Sequence, residues 1–247
     1  MSREQYDKIA EEYSQMLNPT KKYVLIPMFK RLIGNISGKT VLDLGCGDGF
    51  FTRLLFEMSP AKIVGVDISE ELIKKAIERE NPQPLGIEYS VGDVLKLQPK
   101  DKFDIVTTVY LLNYSKTREE LFSMCNTIYS HLRTGGVFCA ITVNPALKPM
   151  IEFEYERRFT NVAREKQFND GNQIKCEIKE TGKKPFEFIS YYWSKEAYEG
   201  CLLKAGFNSV EWIAPIISKE GIAKFGADYW NNFMKNPSPI GIICRKV

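Results

Sequence analysis

The sequence lacks several features that would assign a function class directly. Its six cysteines are widely separated, and the nearest pair, Cys125 and Cys139, stands fourteen positions apart. No CxxC or CxxxC pair is therefore available for zinc or an iron–sulfur cluster, and we expect no metal site. The spread is typical of reduced, mostly buried thiols. Lysine and arginine total 34 against 31 aspartate and glutamate residues, a balance that does not favour a nucleic-acid partner.

Long apolar runs are missing as well. The N-terminal stretch MSREQYDKIAEEYS is polar and acidic, unlike a signal peptide. No segment approaches the ~20 apolar residues that a membrane-spanning helix needs. We therefore expect a cytoplasmic protein with no membrane partner. Histidine occurs once, as His131 near the end of a predicted helix, where a polar side chain suits the helix dipole and a structural role is expected.

What the chain does contain is an apolar strand that leads into a glycine-rich turn, VLDLGCGDGFF over residues 41–51. Gly45, Gly47 and Gly49 alternate there, and a helix is predicted from Phe50. Glycine permits positive φ and close approach of a ligand to the backbone, because it has no Cβ atom. Phe50 stands where the dinucleotide-binding fingerprint needs its last glycine, and the Gly-Lys-Ser/Thr end of a phosphate-binding loop is absent. A phosphate ligand is therefore not favoured.

The residue before this turn indicates the charge of the ligand. Asp43 places a carboxylate beside the glycines, which suits a ligand with positive charge and hydroxyl groups. Residues 43–49 resemble, at every fixed position, the acidic-x-Gly-x-Gly-x-Gly motif of the class I S-adenosylmethionine (AdoMet) dependent methyltransferases. The resemblance covers roughly residues 38–145. It implies a methyltransferase that uses AdoMet as cofactor and releases S-adenosylhomocysteine.

Strands and helices alternate from about residue 40 to residue 143, which predicts βαβ units and a parallel sheet with helices on both faces. With the resemblance, this implies an α/β fold: a Rossmann-like, doubly wound, mostly parallel seven-stranded sheet with an antiparallel last strand. We predict one domain over residues 1–247. Its parts are an N-terminal helical lid (1–35), the AdoMet-binding core (36–145), a substrate-side insertion that forms a lid (146–190) and the completion of the sheet (191–247).

Local signals predict where three elements begin, end or bend. Gly135-Gly136 is predicted to end the helix that begins at about Arg118. Pro27 predicts a kink in a helix over residues 21–33. The last strand, over residues 240–246, follows a Pro-Ser-Pro turn, which favours an antiparallel strand at the edge of the sheet.

Ligands of open parallel sheets bind outside the carboxyl ends of the strands. By resemblance, Asp67 at the end of the second strand accepts hydrogen bonds from the ribose hydroxyls, and Asp93 with Val94 contacts the adenine. A turn-forming role for Asp93 is the alternative. The predicted cofactor-binding residues are Tyr6, Tyr13, Asp43, Leu44, Gly45, Cys46, Gly47, Asp67, Ile68, Gly92, Asp93, Val94, Val109 and Tyr110.

The sequence does not single out a catalytic base. Methyl transfer from a sulfonium needs an aligned, desolvated acceptor and no enzyme nucleophile, so the absence of a Ser/His/Asp or Cys/His set is no objection. Tyr110 and Tyr114 are the main candidates for a base, with Asp43, Glu152 and Glu154 as further candidates.

Aromatic runs are the better indication of the methyl acceptor, since aromatic faces stack on flat rings and attract cations. An aromatic core beneath a lid is the alternative interpretation of these runs. The predicted substrate contacts are Tyr110, Tyr114, Asn144, Tyr192, Trp193 and Trp230.

The whole chain is more loosely similar to the small-molecule N-methyltransferases of toxoflavin (azapteridine) biosynthesis, in LLNY after strand four, in YYWS before a late helix and in the tail from Trp230 to Cys244. This implies a planar nitrogen heterocycle as acceptor. The acceptor is therefore expected to be a small planar heterocyclic or aromatic metabolite, methylated on a nitrogen or oxygen atom. The alternatives are an RNA or protein methyltransferase and a non-catalytic AdoMet-binding protein. Against a nucleic-acid methyltransferase, the chain has Thr-Thr-Val-Tyr in place of an Asn/Asp-Pro-Pro-aromatic turn. The oligomeric state stays open.

Overall fold

The computed structural model describes residues 18–81, 83–149, 157–161, 167–178 and 186–247. Residues 1–17 of the predicted N-terminal helical lid, with Tyr6 and Tyr13, lie outside these ranges, and so do Glu152 and Glu154. The strands are β1 (Thr40–Leu44), β2 (Lys62–Asp67), β3 (Glu88–Val91), β4 (Phe103–Val109), β5 (Leu132–Val143), β6 (Arg157–Asn161), β7 (Gln173–Ile178), β8 (Phe186–Tyr191), β9 (Glu211–Ile213) and β10 (Pro239–Arg245).

Helices occupy most of the connections between these strands. They are α1 (Ile26–Ile33), α2 (Phe50–Phe56), α3 (Glu70–Glu78), α4 (Arg118–His131), α5 (Lys195–Ala205), α6 (Lys219–Phe225) and α7 (Ala227–Lys235). A π-helical turn (Lys21–Leu25) precedes α1, and a 3₁₀ turn (Leu112–Tyr114) follows β4. Pro27 lies in the first turn of α1, but the π-helical turn runs into α1 without a break, so the carbonyl of Tyr23 has no N–H from Pro27 to accept. It accepts from Ser218 N–H at 2.9 Å instead, and the π-helical turn directly precedes the proline.

The main sheet has seven strands in the order β3-β2-β1-β4-β5-β10-β9. The first five in this order are parallel, and β10 is antiparallel to both β5 and β9. The predicted Rossmann-like fold with an antiparallel last strand is therefore confirmed. The edge position predicted for that strand is wrong, because Ile242 pairs with Ala140 on one side and with Trp212 on the other.

The glycine pair after α4 also behaves differently from its prediction. The helix ends at His131, and Gly135-Gly136 lies within β5. The N–H of Gly135 donates to the carbonyl of Lys246 at 2.8 Å, and the N–H of Lys246 donates to the carbonyl of Gly136 at 2.9 Å. Pairing with the end of the chain therefore determines the conformation of the glycines, rather than helix capping.

Apolar side chains cover both faces of the sheet. One face packs against α4 and α5 through residues such as Leu121, Ile128 and Leu202, and the other packs against α1 and α2 through residues such as Phe29 and Leu55. Burial on both faces is what a doubly wound sheet requires. It leaves the carboxyl ends of the parallel strands as the place where ligands have access.

A second sheet, in the order β6-β7-β8, is antiparallel throughout and lies within the predicted insertion. All six cysteines are buried thiols. Within the described ranges, no helix has the length and apolar character needed to cross a membrane.

Candidate functional site

The glycine turn after β1 is held against the end of β2 by backbone hydrogen bonds. Gly45 N–H donates to the carbonyl of Val66 at 2.7 Å, and Gly47 N–H donates to Asp67 Oδ2 at 2.8 Å. Gly45, Gly47 and Gly49 have φ of 71°, 57° and 74°, the left-handed region that non-glycine residues rarely adopt. The positive φ expected from the motif is confirmed.

Two arginines hold the far side of the same turn. Arg53 donates to the backbone carbonyl of Asp48 at 2.9 Å, and Arg79 forms an ion pair with the buried Asp48 carboxylate. A Cβ atom on Gly49 would lie 2.4 Å from Tyr89 Oη, so this glycine is required by packing. The turn is therefore fixed from both sides before any ligand binds.

A smaller cavity of about 310 Å³ lies where β1, β2, β3 and β4 end. It brings together most of the residues predicted for the ribose and adenine. The lining residues are Leu44, Gly45, Val66, Asp67, Ile68, Gly92, Asp93, Val94 and Leu111.

A larger cavity of about 850 Å³ adjoins it, since Gly45 lines both. Predicted residues here are Asp43, Cys46, Gly47, Val109, Tyr110 and Tyr114. The full lining consists of Lys21, Leu25, Asp43, Gly45, Cys46, Gly47, Asp48, Phe50, Phe51, Val109, Tyr110, Asn113, Tyr114, Val143, Cys176, Phe188 and Ser190.

Asp43 is a buried carboxyl group in the wall of the larger cavity, with 1% of the residue exposed. Burial raises its pKa from the ordinary value of 3.8 to about 7, and the charge of Asp67 adds to the increase. Thr52 Oγ1 donates to Asp43 Oδ2 at 2.7 Å, which favours the ionised form and limits that increase. A cationic group in the cavity would favour the ionised form further.

Asp67 and Asp93 both line the smaller cavity and both hold local backbone. Asp67 Oδ2 accepts from Gly47 N–H, and its Oδ1 accepts from Ser69 N–H at 2.9 Å. Asp93 Oδ1 accepts from Leu95 N–H at 3.0 Å, which is the turn-forming role considered for it. An ionised carboxylate oxygen has more than one acceptor position, so a backbone contact of this kind does not by itself prevent a ligand from binding to the same group.

Tyr110 directly follows β4 and has a φ of 57°, one of two described non-glycine residues with positive φ. Its N–H donates to the carbonyl of Ile141 at 2.7 Å, which fixes this conformation. Such strain persists only where the surroundings enforce it, and it concentrates at functional sites. Tyr110 and Tyr114 both lie in the wall of the larger cavity, as predicted.

Four predicted substrate contacts do not line either cavity. Trp230 is 2% exposed and donates from Nε1 to the carbonyl of Gly221 at 2.8 Å, within an aromatic cluster around Tyr23. Trp193 donates from Nε1 to the carbonyl of Ser115 at 3.1 Å. For these tryptophans, the alternative of an aromatic core is the one that the structure supports.

The other two such residues, Asn144 and Tyr192, are also engaged within the protein. Asn144 donates from Nδ2 to the carbonyl of Pro237 at 3.0 Å and accepts from Ala146 N–H at 2.9 Å. Tyr192 stacks on Phe168, and its hydroxyl donates to a backbone carbonyl. The sequence showed polar and aromatic side chains near the site but not which way they face.

Several cavity residues were missed. Lys21 is 6% exposed, and its Nζ lies 3.9 Å from the centroid of the Phe50 ring. Phe188 and Ser190 alternate along β8 and so share the face that lines the cavity. The alternating pattern could have predicted that they share a face, but no signal in the sequence places that face over the glycine turn.

His131 lines neither cavity. His131 is buried, and its Nδ1 lies 2.7 Å from the carbonyl of Thr127. Burial lowers its pKa, so the imidazole is held in the neutral form. Nowhere in the described part of the chain do three His, Cys, Asp or Glu side chains group as potential metal ligands.

Comparison with known proteins decides the family. A family model described as a methyltransferase domain matches residues 35–200. The chain belongs to the class I AdoMet-dependent methyltransferase family. The family resemblance drawn from the glycine motif is thereby confirmed, and AdoMet, the cofactor that it implied, is the cofactor of this family.

Individual methyltransferases are similar to this chain, some in sequence over part of its length and others in fold over nearly all of it. The ubiquinone biosynthesis O-methyltransferase of Coxiella burnetii is 33% identical over 115 residues, which are 46% of this chain and 47% of that protein. The chain spans about half the length of the curated relatives that it matches first. The CcbJ methyltransferase of Streptomyces caelestis has the same fold, with a TM-score of 0.71, 18% identity and full coverage of both chains. The AdoMet-bound amino pentose methyltransferase CalS10 of Micromonospora echinaspora has a TM-score of 0.56, with 14% identity over 90% of this chain and 89% of that one.

The residues of this methyltransferase-family chain fit AdoMet. A Cβ atom on Gly45 would lie 3.1 Å from Leu111 Cδ1, so bare backbone keeps the junction of the two cavities open. Buried carboxylates in both cavities suit hydroxyl and ammonium groups. Val94 and Leu111 offer apolar contacts for a flat base.

Proposed function

We propose that the protein transfers a methyl group from AdoMet to a nitrogen or oxygen atom of a small planar molecule. The observation that supports this best is the junction at Gly45, where a cavity between strand ends adjoins a larger cavity with largely apolar walls. When bound, AdoMet supplies an electrophilic methyl group on a sulfonium sulfur. The chain's own task is to hold cofactor and acceptor on either side of that junction.

On the cofactor side, Asp67 accepts hydrogen bonds from the ribose hydroxyls, and Asp93 with Val94 holds the adenine. The larger cavity contains a buried cation, Lys21, and a buried acid, Asp43. This pair is complementary to an amino acid carboxylate and ammonium, the charges at the methionine end of AdoMet. Lys21 is thus added to the cofactor-binding residues predicted from the sequence.

On the acceptor side, apolar and aromatic side chains from distant parts of the chain enclose the cavity. Leu25 lies in the turn before α1, Phe50 and Phe51 open α2, Val143 ends β5, and Phe188 lies on β8. Such walls exclude water and accept a flat ring by stacking. They favour an aromatic or heterocyclic acceptor over a flexible polar one.

The chain acts by positioning rather than by a nucleophile. Tyr110 and Tyr114 lie in the cavity wall and can orient an acceptor or take up a proton from it. Positioning alone can supply an effective molarity of ~10⁵ M or more. We assign no obligatory base.

The domain arrangement predicted from the sequence becomes part of this proposal. Residues 36–145 hold the cofactor, and the insertion at 146–190 covers the acceptor, because Cys176, Phe188 and Ser190 from its strands line the larger cavity. A recessed cavity of this kind suits a small molecule better than an RNA or protein chain. The ubiquinone biosynthesis relative carries the name of a small-molecule O-methyltransferase, which supports the same substrate class.

The test is transfer of an isotopically labelled methyl group. The full chain is incubated with methyl-labelled AdoMet and with pools of planar nitrogen heterocycles and phenols, and products are read by mass spectrometry. Label on a small planar molecule, with equimolar S-adenosylhomocysteine, is the expected result. Label found only on added RNA or protein would contradict the proposed acceptor class, and AdoMet binding without turnover of any pool would favour a non-catalytic role.

A further inference from the structure

Asn113 lies in the 3₁₀ turn that directly follows β4, in the wall of the larger cavity. The residue is 1% exposed. Within the described part of the chain, its buried Oδ1 accepts no hydrogen bond. A buried amide oxygen without a donor has given up its hydrogen bonds to water and has formed none within the protein, so it destabilises the folded state.

The turn itself does not need this side chain. Ser115 Oγ donates to the carbonyl of Leu112 at 2.7 Å, and Ser115 N–H donates to the same carbonyl at 3.2 Å. Trp193 Nε1 donates to the carbonyl of Ser115 at 3.1 Å. Backbone groups and neighbouring side chains therefore hold the segment around Asn113.

A second buried asparagine shows what a structural amide looks like in this protein. Asn144 follows β5 and uses both ends of its amide, donating to Pro237 and accepting from Ala146. It lines neither cavity. The two residues share type and burial but differ in that only Asn113 combines an unsatisfied oxygen with a place in the cavity wall.

We infer that Asn113 determines acceptor specificity by accepting, on Oδ1, a hydrogen bond from an N–H or O–H group of the methyl acceptor. This inference rests on the proposed function, and it narrows the acceptor to planar rings that carry a hydrogen-bond donor. An amide is not a base at neutral pH, so Asn113 acts as a positioning residue. It holds the donor edge of the ring while the apolar walls hold its faces.

Asn113→Leu tests the inference, because leucine replaces the amide by an apolar group of similar size. In the ligand-free protein, the melting temperature of Asn113→Leu should equal or exceed that of the wild type. Asn144→Leu is the matched control and should lower the melting temperature, since it leaves Pro237 and Ala146 without their partner. A decrease for Asn113→Leu as large as that for Asn144→Leu would show that the amide is structural and would overturn the inference.

The second measurement uses two probes of nearly equal shape, indole with an N–H donor and benzofuran without one. Their binding to the protein saturated with S-adenosylhomocysteine is followed by ligand-observed NMR. The wild type should prefer indole by about tenfold, the effect of one buried hydrogen bond, and Asn113→Leu should lose that preference. An unchanged preference in the variant, or none in the wild type, would overturn the inference. Failure of the wild type to bind AdoMet in calorimetry would instead contradict the proposed function, and the melting temperatures do not depend on it.

Discussion

The two cavities that meet at Gly45 are built in different ways. The smaller one is lined by residues at or just after the ends of β1, β2, β3 and β4, all within residues 44–111. The larger one takes its lining from Lys21 near one end of the described chain to Ser190 on the second sheet. The carboxyl ends of neighbouring parallel strands lie together at one edge of a sheet, which explains the smaller cavity. The larger cavity also needs side chains that are distant in the sequence and that meet only through tertiary packing.

This difference separates two kinds of recognition within one site. Backbone turns and carboxylates at strand ends can hold a ligand that keeps the same shape across a family. The larger cavity shares the glycine turn with the smaller one, but part of its wall comes from the insertion and from the turn before α1, which can change without disturbing the sheet. Changes at the strand ends and the glycine turn should therefore affect AdoMet binding itself, and changes in the wall that the insertion contributes should affect the choice of acceptor.

The largest effect is expected from Gly45→Val. The new side chain would enter the junction of the two cavities, where even a Cβ atom lies 3.1 Å from Leu111 Cδ1, and valine disfavours a φ of 71°. AdoMet affinity, measured by calorimetry, should fall by about 100-fold or more as steric exclusion adds to a backbone strain of ~1–2 kcal/mol.

Gly38→Val is the matched control for that variant. Gly38 has a φ of 70°, but a Cβ atom there meets nothing within 4 Å. The control should share the loss of stability from backbone strain and keep its AdoMet affinity. If both variants lost affinity equally, strain rather than the junction would be responsible, and the position assigned to the cofactor would be wrong.

A smaller effect is expected from Asp67→Asn. The change removes a negative charge at the end of β2. It also replaces one carboxylate oxygen by an NH₂ group, which cannot accept the hydrogen bond from Gly47 N–H or Ser69 N–H. AdoMet affinity should fall about 10- to 100-fold, as expected for the loss of a charged acceptor worth ~1.5–3 kcal/mol. Titration calorimetry at one pH and salt concentration measures this.

Asp104 gives a comparison at the opposite end of the sheet. It lies near the start of β4, where Oδ2 accepts from Thr40 N–H at 2.8 Å and from Thr40 Oγ1 at 2.9 Å. Asp104→Asn should lower the melting temperature and leave AdoMet affinity unchanged. An equal loss of affinity in both variants would mean that Asp67 acts only by stabilising the fold.

The third prediction concerns the pH dependence of AdoMet affinity, which should change by up to about tenfold per pH unit through the ionisation of Asp43. With a pKa of about 7, Asp43 is largely protonated at pH 6 and ionised at pH 8. Since the ionised form attracts the cationic methionine end, AdoMet affinity should rise by up to about tenfold over each pH unit below 7 and level off above it. The same raised pKa means that the contribution of Asp43 to the free energy of unfolding is greatest below pH 4 and decreases as the pH rises from about 4 to 7.

Thr52→Val sharpens this prediction. Valine is close in shape to threonine but cannot donate to Asp43 Oδ2, so the pKa of Asp43 should rise and the pH midpoint of AdoMet affinity should move upward. Asp43→Asn should remove the pH dependence. Identical pH profiles for the wild type and both variants would show that Asp43 does not sense the charge of the cofactor.

The sequence predicts the smaller cavity at the strand ends better than it predicts the larger one. The alternation of strands and helices predicted the parallel sheet, and the glycine spacing with Asp67 predicted the cofactor side, because the carboxyl ends of parallel strands must meet at one edge. The sequence did not place Lys21, Asn113 or Phe188 in the cavity wall. Their positions depend on how the turn before α1 and the second sheet pack over the glycine turn, which no local pattern specifies.

Two of the predicted substrate contacts lie outside both cavities for one physical reason. Trp230 and Trp193 were expected to contact the acceptor because aromatic runs suit flat rings. An indole N–H can equally be satisfied by a backbone carbonyl in a core, as both tryptophans do here. Residue type gives the chemistry that a side chain can perform, but only packing decides which partner it meets.

The smallest effect on the site is expected from Trp230→Phe, and it tests this last point. The variant loses the Nε1 hydrogen bond to the Gly221 carbonyl, so the free energy of unfolding should fall by about 1–2 kcal/mol in urea denaturation. AdoMet affinity and acceptor selectivity should not change. Phe188→Leu should do the reverse, with altered kcat/KM for the acceptor and little loss of stability, because Phe188 is half-buried in the cavity wall. A larger rise in acceptor KM for Trp230→Phe than for Phe188→Leu would place the tryptophan beside the acceptor after all, and the acceptor side would then extend to α7.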